Sequence, residues 1–377
     1  MTKALAEALV QLDDPETIEK ILVAAGTDSD SVDPELDRFG QSTLPSLFER
    51  YLNRRKNRSP ETRAQYTRTI PHFIEFAEQK GIETPRRISP DIVDDYVNEL
   101  QSEFEPDATV LTYTKNVRAW LRWIGKRQMC DEHVYRILDK DELGLTPKAR
   151  DEAFSEHTAK HILSKLRQQR RGSTCHALLE LCWNAGPRIG DIHSLDVQDF
   201  NPNENTIQFR HRPESGTRLK NGNENTATKG DGERDIVTQE SVVEAIQIYV
   251  RNERPEVTDA YDRDPLFATS HGRAAKSTLR RWVYKATSCR WSPEESTAQT
   301  CDGNCDPDSS VCPLSYYPHA IRRGAIVNHL SGGLRPDRAS ERFDVSPQVL
   351  KKHYDPRAKE KKLVDRSEAV RKAWTEW

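Results

Sequence analysis

At 377 residues, with 35% hydrophobic and 31% charged side chains, the chain has room for two or three ordinary domains, each able to bury a core. No stretch reaches the roughly 18 apolar residues of a membrane span, and the acidic start lacks the positive region of a secretory signal, so no membrane association and a cytoplasmic location are expected. The formal charge is −3, unevenly placed: residues 1–40 hold ten acidic and three basic side chains, which leaves a basic excess of +4 over the remainder.

The first 26 residues, MTKALAEALVQLDDPETIEKILVAAG, have helical periodicity and run into the acidic connector TDSDSVDPELDRFG, so residues 1–41 read as an appendage. Four helical patterns follow to about residue 130: LPSLFERYLNRRK, SPETRAQYTRTIPHFIEFAEQKG, SPDIVDDYVNELQSEF and DATVLTYTKNVRAWLRWIGKRQ. Ser59-Pro60 and Ser89-Pro90 each look like an N-cap followed by proline at the first helical position. The spacing predicts a compact bundle over 42–135 whose outer faces mix Arg, Lys, Gln and Thr with Tyr and Trp. Such a surface suits a DNA duplex, and it also suits plain solvation.

The charged stretch ending in TPKARDEAF lacks periodicity and reads as a linker over 136–154. Helical patterns resume to about 198. Alternation in NTIQFRHRP and ERDIVT then predicts a pair of strands bridged by a long Gly/Asn-rich turn. Helices return at SVVEAIQIYVRNE and continue to the end, so residues 155–377 read as mainly α with a small antiparallel β-sheet.

Four short motifs carry chemistry. In AGPRIGDIHSLDVQDF, Gly186-Pro187 breaks a helix and presents Arg188 at the corner, with Asp191 three residues on to orient it. In TKGDGERDIVT, Lys229 stands at the mouth of the turn between strands, and Lys220 ends the first strand. In YPHAIRRGAIVNHL, His319 and Arg322 lie one helical turn apart and share a face, so both can reach one anion. In DVSPQVLKKHYDPR, Ser346 is the expected N-cap, Val349 and Leu350 form a buried stripe, and Tyr354 follows one turn beyond Leu350. Each feature alone has a blander reading: a corner ion pair, a solvated lysine, a solvated helix face, the end of an apolar stripe.

In that order, Arg188, a hairpin lysine, His319-x-x-Arg322 and Tyr354 resemble the tyrosine recombinase family (phage integrase, Xer-like, archaeal-type). The resemblance covers nearly everything after the acidic leader. It implies a helical core-binding, SAM-like domain over 42–135 and a tyrosine recombinase catalytic domain over 155–377. It further implies site-specific cleavage and rejoining of DNA through a 3′-phosphotyrosyl link made by Tyr354. Arg188 and Arg322 would neutralise charge on the nonbridging phosphate oxygens. His319 would take the phenolic proton, and Lys229, or else Lys220, would protonate the departing 5′ oxygen. No metal or nucleotide is needed for that chemistry. The implied partner is double-stranded DNA, clamped between the two domains, with four protomers on paired sites and the tail PRAKEKKLVDRSEAVRKAWTEW docked on a neighbouring protomer or folded back on its own. A catalytically impaired DNA-binding protein of the same fold and a type IB topoisomerase are the alternatives. The family usually places a His or Trp just before the tyrosine helix; here Phe343 or Asp344 takes the approximate slot.

Seven cysteines in a chain without signs of export argue against a disulfide framework. Cys289, Cys301, Cys305 and Cys312 fall within 24 residues of a Gly/Asp/Ser/Pro-rich insertion, 289–312, directly ahead of the His319 helix. Four soft ligands there suit a structural zinc site, against a loop with free thiols or an occasional disulfide.

Overall fold

The computed structural model describes residues 42–146, 152–220, 232–292, 301, 305, 311–354, 367 and 371. The chain divides into two compact units, Met1–Arg150 and Asp151–Trp377. The appendage expected over 1–41 lies outside the described residues, as does the tail after Tyr354 except for Ser367 and Arg371.

The first unit contains α1 (Leu44–Asn53), α2 (Pro60–Gln79), α3 (Pro90–Glu103), α4 (Asp107–Gly125) and the short α5 (Glu132–Arg136). Ser59 and Ser89 cap α2 and α3 as their sequences predict, accepting from the backbone N–H groups of Thr62 (3.2 Å) and Ile92 (3.4 Å). Helical spacing puts Leu44, Leu47 and Tyr51, then Ile70, Phe73 and Ala77, then Val93, Tyr96 and Leu100, and finally Val117, Trp120, Leu121 and Ile124 into one core. Within it, buried Asn116 donates to Thr69 at 3.1 Å.

The linker begins later than its composition suggests. Leu138 and Leu145 are buried in the first core, and the Thr146 N–H donates to Asp107 at 3.0 Å. Charged neighbours hide these two leucines from a periodicity reading, because isolated apolar residues in an irregular segment have no period to show.

The second unit is built around α7 (Thr174–Ala185), buried on nearly every side and packed by α6 (Glu156–Gln169), α9 (Glu240–Asn252), α10 (Lys276–Ala286) and α11 (Pro318–Ser331). Two strands appear where alternation predicts them, β2 (Thr206–Phe209) and β3 (Arg234–Val237), antiparallel with Phe209 opposite Arg234. The strand β1 (Phe200–Asn201) completes the order β1-β2-β3. A second hairpin, β4 (Ala268–Thr269) with β5 (Gly272–Arg273), is too short to register as alternation. Around it, Asp196 takes bonds from Arg212 (3.1 Å) and Arg273, while Asp259 meets Arg263 and Arg273, both at 2.8 Å. Multiple pairing is what permits carboxylates this buried.

The C-terminal half of α11 packs with α12 (Pro336–Phe343) and α13 (Pro347–His353) into a separate small core of Ile326, Leu330, Ala339, Phe343, Val345, Leu350 and Tyr354. Gly324 in α11 is required by close approach: a Cβ there would lie 1.9 Å from the Phe154 carbonyl oxygen.

Candidate active site

Three chain segments bring positively charged side chains to one site. The first is the corner after α7. Gly186 ends that helix at φ +52°, and a Cβ on it would meet the Phe343 ring at 2.9 Å, so conformation and contact both demand glycine. The next helix, α8 (Ile189–Ser194), starts just after Arg188, whose backbone N–H donates to the Asp191 carboxylate at 3.0 Å.

The expectation that Asp191 orients the Arg188 side chain is corrected here. Buried Asp191 fixes the Arg188 backbone and accepts from the Arg234 guanidinium at 2.8 Å. The Arg188 guanidinium is instead held by Asp344, through both its carboxylate and its carbonyl. Asp344 adopts φ +49°, ψ 57° at the end of α12, which turns its carbonyl toward Arg188. Phe343 is fully buried in the small core, so neither residue of that slot supplies the neutral or cationic donor that the family pattern has there.

The second segment is the start of α11. Arg322, only 3% exposed, donates to the Gly186 carbonyl at 2.6 Å and the Phe343 carbonyl at 2.5 Å, tying α11 to the corner and to the end of α12. Burial, with the Arg188 charge adding and Asp191 opposing, lowers its pKa to about 10, so it remains cationic at neutral pH.

The third segment is α13. Ser346 caps it, accepting from the Val349 N–H at 3.4 Å, and Leu350 is buried as expected. Val349, expected in the same stripe, is 41% exposed and lies outside the small core. Tyr354 terminates the helix with its ring in the small core and its hydroxyl 3.4 Å from His319 Nε2. The two rings meet edge to face at 6.5 Å between centroids.

His319 is exposed. The protein around the ring nevertheless withdraws enough water to lower its pKa, and the positive charges of Arg322, Arg323, Lys220 and Arg188 lower it further. A depressed value means the neutral imidazole persists to lower pH and is lost only once the pH falls below the ordinary value of about 6.5. The second-order rate of any reaction using His319 as base should therefore be flat from pH 8 to about 6.5 and decline below it. A midpoint at or above the ordinary imidazole value, measured at limiting DNA, would contradict this.

Lys220 is exposed and close enough to act on His319 electrostatically. Lys229 lies outside the described residues. All four clustered cysteines, Cys289, Cys301, Cys305 and Cys312, bring their sulfurs within 4.8 Å of one another.

Arg234 stands in the hairpin motif, where the sequence assigns it no role of its own. Its side chain lies 4.2 Å over the Phe209 ring and donates to the carbonyls of Arg342 (2.8 Å) and Gly232 (2.9 Å) as well as to Asp191. It locks the hairpin against the corner and α12. Its place at a strand start opposite an aromatic was the available signal.

A second cationic feature belongs to the first unit. Arg50, Arg54, Trp123, Arg127 and Met129 line a cavity of about 280 Å³. Arg127 stacks on Trp123 at 4.0 Å, and Arg55 stacks on Tyr51 at 3.8 Å. Burial and the like charges of Arg54, Arg55 and Arg50 lower the Arg127 pKa.

In sequence and in fold the chain is similar to tyrosine recombinases and phage integrases. Residues 46–108 match the model of the phage integrase N-terminal SAM-like domain. Among curated relatives, the chain is 22% identical over 249 residues to tyrosine recombinase XerD of Staphylococcus epidermidis, covering 64% of this chain and 76% of that one. It is 24% identical over 167 residues to tyrosine recombinase XerC of Bacillus pumilus, covering 44% and 53%. In fold it resembles the Tn1549 transposon integrase in complex with circular intermediate DNA, at a TM-score of 0.61 and 13% identity over 86% of this chain and 99% of that one. It also resembles a lambda integrase dimer bound to a COC′ core site, at 0.56 and 12% identity over 92% of each chain. No helix among the described residues is long and apolar enough to cross a membrane.

Proposed function

We propose that the chain is a site-specific DNA recombinase that cuts and rejoins strands through a 3′-phosphotyrosyl intermediate on Tyr354. The observation that carries the reading is the approach of the Tyr354 hydroxyl to His319 Nε2, 3.4 Å, beside the cations Arg188 and Arg322.

A phenol is protonated at neutral pH, so attack on phosphorus requires an acceptor. Neutral His319 is in reach. As the Tyr354 oxygen bonds to phosphorus, the bond from phosphorus to the 5′ oxygen breaks, and that oxygen takes a proton from Lys220 or Lys229. Negative charge building on the nonbridging oxygens meets Arg188 and Arg322. Two of the five Arg322 N–H groups are engaged by carbonyls, which fixes the orientation of the rest. Asp344 holds Arg188 in line by the same means until phosphate competes for it. Tyrosine recombinases need no cofactor for catalysis, so metal binding at the cysteines would serve structure.

The partner in this reading is duplex DNA, held as in the integrase complexes of similar fold. The chain would act as a tetramer on paired sites; lambda integrase forms a tetramer bound to a Holliday junction. The arginines around Trp123 would grip backbone phosphate. Replacing Arg50 and Arg127 together by Gln should weaken binding to all duplexes alike and reduce the slope of log K against log salt by about two. An unchanged slope would remove the patch from the interface.

The test of the whole reading is covalent trapping. A nicked suicide duplex carrying the candidate target, taken from DNA flanking the gene, should yield a protein–DNA adduct that survives a denaturing gel. A duplex that is shifted but never trapped would replace the recombinase by a binding protein of the same fold.

A further inference from the structure

We propose that Cys289, Cys301, Cys305 and Cys312 bind one structural zinc ion, and that this ion fixes the start of α11 and so the position of His319. The second half of the proposal rests on the recombinase reading above. The first half stands on the cysteines alone.

The four sulfurs lie within 4.8 Å of one another, with Cys301 and Cys312 at 3.8 Å and Cys301 and Cys305 at 3.0 Å. Zinc–thiolate bonds of about 2.3 Å in a tetrahedron set sulfur–sulfur separations near 3.8 Å. A disulfide requires about 2.05 Å, and all four residues are free thiols. The donor set is entirely sulfur, with Cys301 and Cys312 buried, so four thiolates would close the coordination shell and leave no position for water or substrate. The Cys289 backbone N–H points at the Cys312 sulfur at 3.3 Å, the kind of outer contact that orients a thiolate ligand. Lys285 and Arg290 line a cavity together with Cys305, placing positive charge beside a centre that would carry a net charge of about −2.

The segment has little else to order it. Gly, Asp, Ser and Pro dominate residues 302–313, and apolar side chains are scarce. Metal binding is the ordinary substitute for a hydrophobic core in such a stretch.

The coupling to the catalytic helix follows from what surrounds Cys312. Cys289 lies just past the end of α10, and Cys312 lies seven residues before His319, so a shared ion would staple the end of one helix to the lead-in of the other. Ser315 N–H donates to the Cys312 carbonyl at 2.9 Å, and its hydroxyl donates to the Tyr284 carbonyl at 2.8 Å. Tyr316 N–H donates to Thr287 Oγ1 at 3.0 Å, and its ring packs on Phe154 at 4.9 Å. Tyr317 is then the N-cap residue of α11. Ser315 and Tyr316 thus lean on the end of α10, on the Tyr284 carbonyl and the Thr287 hydroxyl, and the ion would anchor the Cys312 end of that series.

The test begins with metal analysis of the full chain purified under reducing conditions. One zinc per chain is expected, with loss in Cys305→Ser/Cys312→Ser and retention in Cys130→Ser. Cobalt titrated into stripped wild-type protein should give the visible bands of a tetrahedral tetrathiolate site, which keeps the test valid even where the double variant folds poorly. Absence of zinc after reconstitution, or a metal content unchanged in the double variant, would overturn the site. Hydrogen exchange over residues 313–322 should rise on stripping, and adduct formation on the suicide duplex should slow by about tenfold or more and recover with zinc. Zinc that leaves without changing exchange or adduct rate would overturn the positioning role. Zinc at one per chain with no adduct under any condition would instead count against the recombinase reading and leave the metal site standing.

Discussion

Tyr354→Phe is expected to abolish the covalent protein–DNA adduct while leaving duplex binding and folding intact. The tyrosine ring belongs to the small core with Phe343, Val345 and Leu350, and phenylalanine keeps all of that packing. What leaves is a hydroxyl that meets His319 at 3.4 Å, so the change in stability should stay within about 1 kcal/mol. The chemical change is far larger. Without an oxygen nucleophile on α13 no phosphotyrosyl bond can form, and the trapping rate should fall by about 10⁴-fold or more, to the limit of detection. The two proteins compared on one denaturing gel, with a native gel beside it, check both halves. An adduct of undiminished yield in the phenylalanine variant would mean that another residue is the nucleophile.

The second large effect separates the two arginines by stability. Arg188→Ala and Arg322→Ala should each slow adduct formation by about 10²- to 10³-fold, the scale observed when one preorganised donor to a developing charge is lost. Their folds should respond differently. Arg188 is one-fifth exposed, and its loss leaves Asp344 able to meet water. Arg322 is buried and bridges the carbonyls of Gly186 and Phe343, so its removal strands two buried acceptors and opens a hole between α7, α11 and α12. That should cost about 3 kcal/mol or more. Arg322→Lys should not restore it, because a single ammonium on a flexible stem lacks the planar fork that spans two carbonyls. Thermal melts of the three variants beside wild type provide the check. Equal melting of Arg322→Ala and wild type would show that the arginine is not a structural tie.

The same contacts explain why the site was legible only in part. Helix ends were readable because their causes are local: Ser59, Ser89 and Ser346 cap by reaching their own next turn, and Gly186 ends α7 through its own φ. The paired strands were readable because alternation over four residues is itself local. The ionic and packing relations of the site are not. Asp191 stands three residues after Arg188, and its backbone bond follows from that spacing, yet the Arg188 guanidinium is claimed by Asp344, 156 residues away. Arg234 looks like one more solvated strand residue until Phe209, Asp191 and the end of α12 close around it.

Composition, capping residues and motif order by themselves determined a mainly helical chain with a small antiparallel sheet and several helix ends, and they singled out the side chains proposed here to handle phosphate. Only the tertiary structure decided which of them meet. It brought the Tyr354 hydroxyl to His319, turned Val349 outward, placed Lys220 near the imidazole, and drew four cysteine sulfurs together. The physical reason is range. Capping and periodicity act within a turn or two of the backbone, whereas a guanidinium's partner and a thiolate's neighbours are fixed by how whole helices pack.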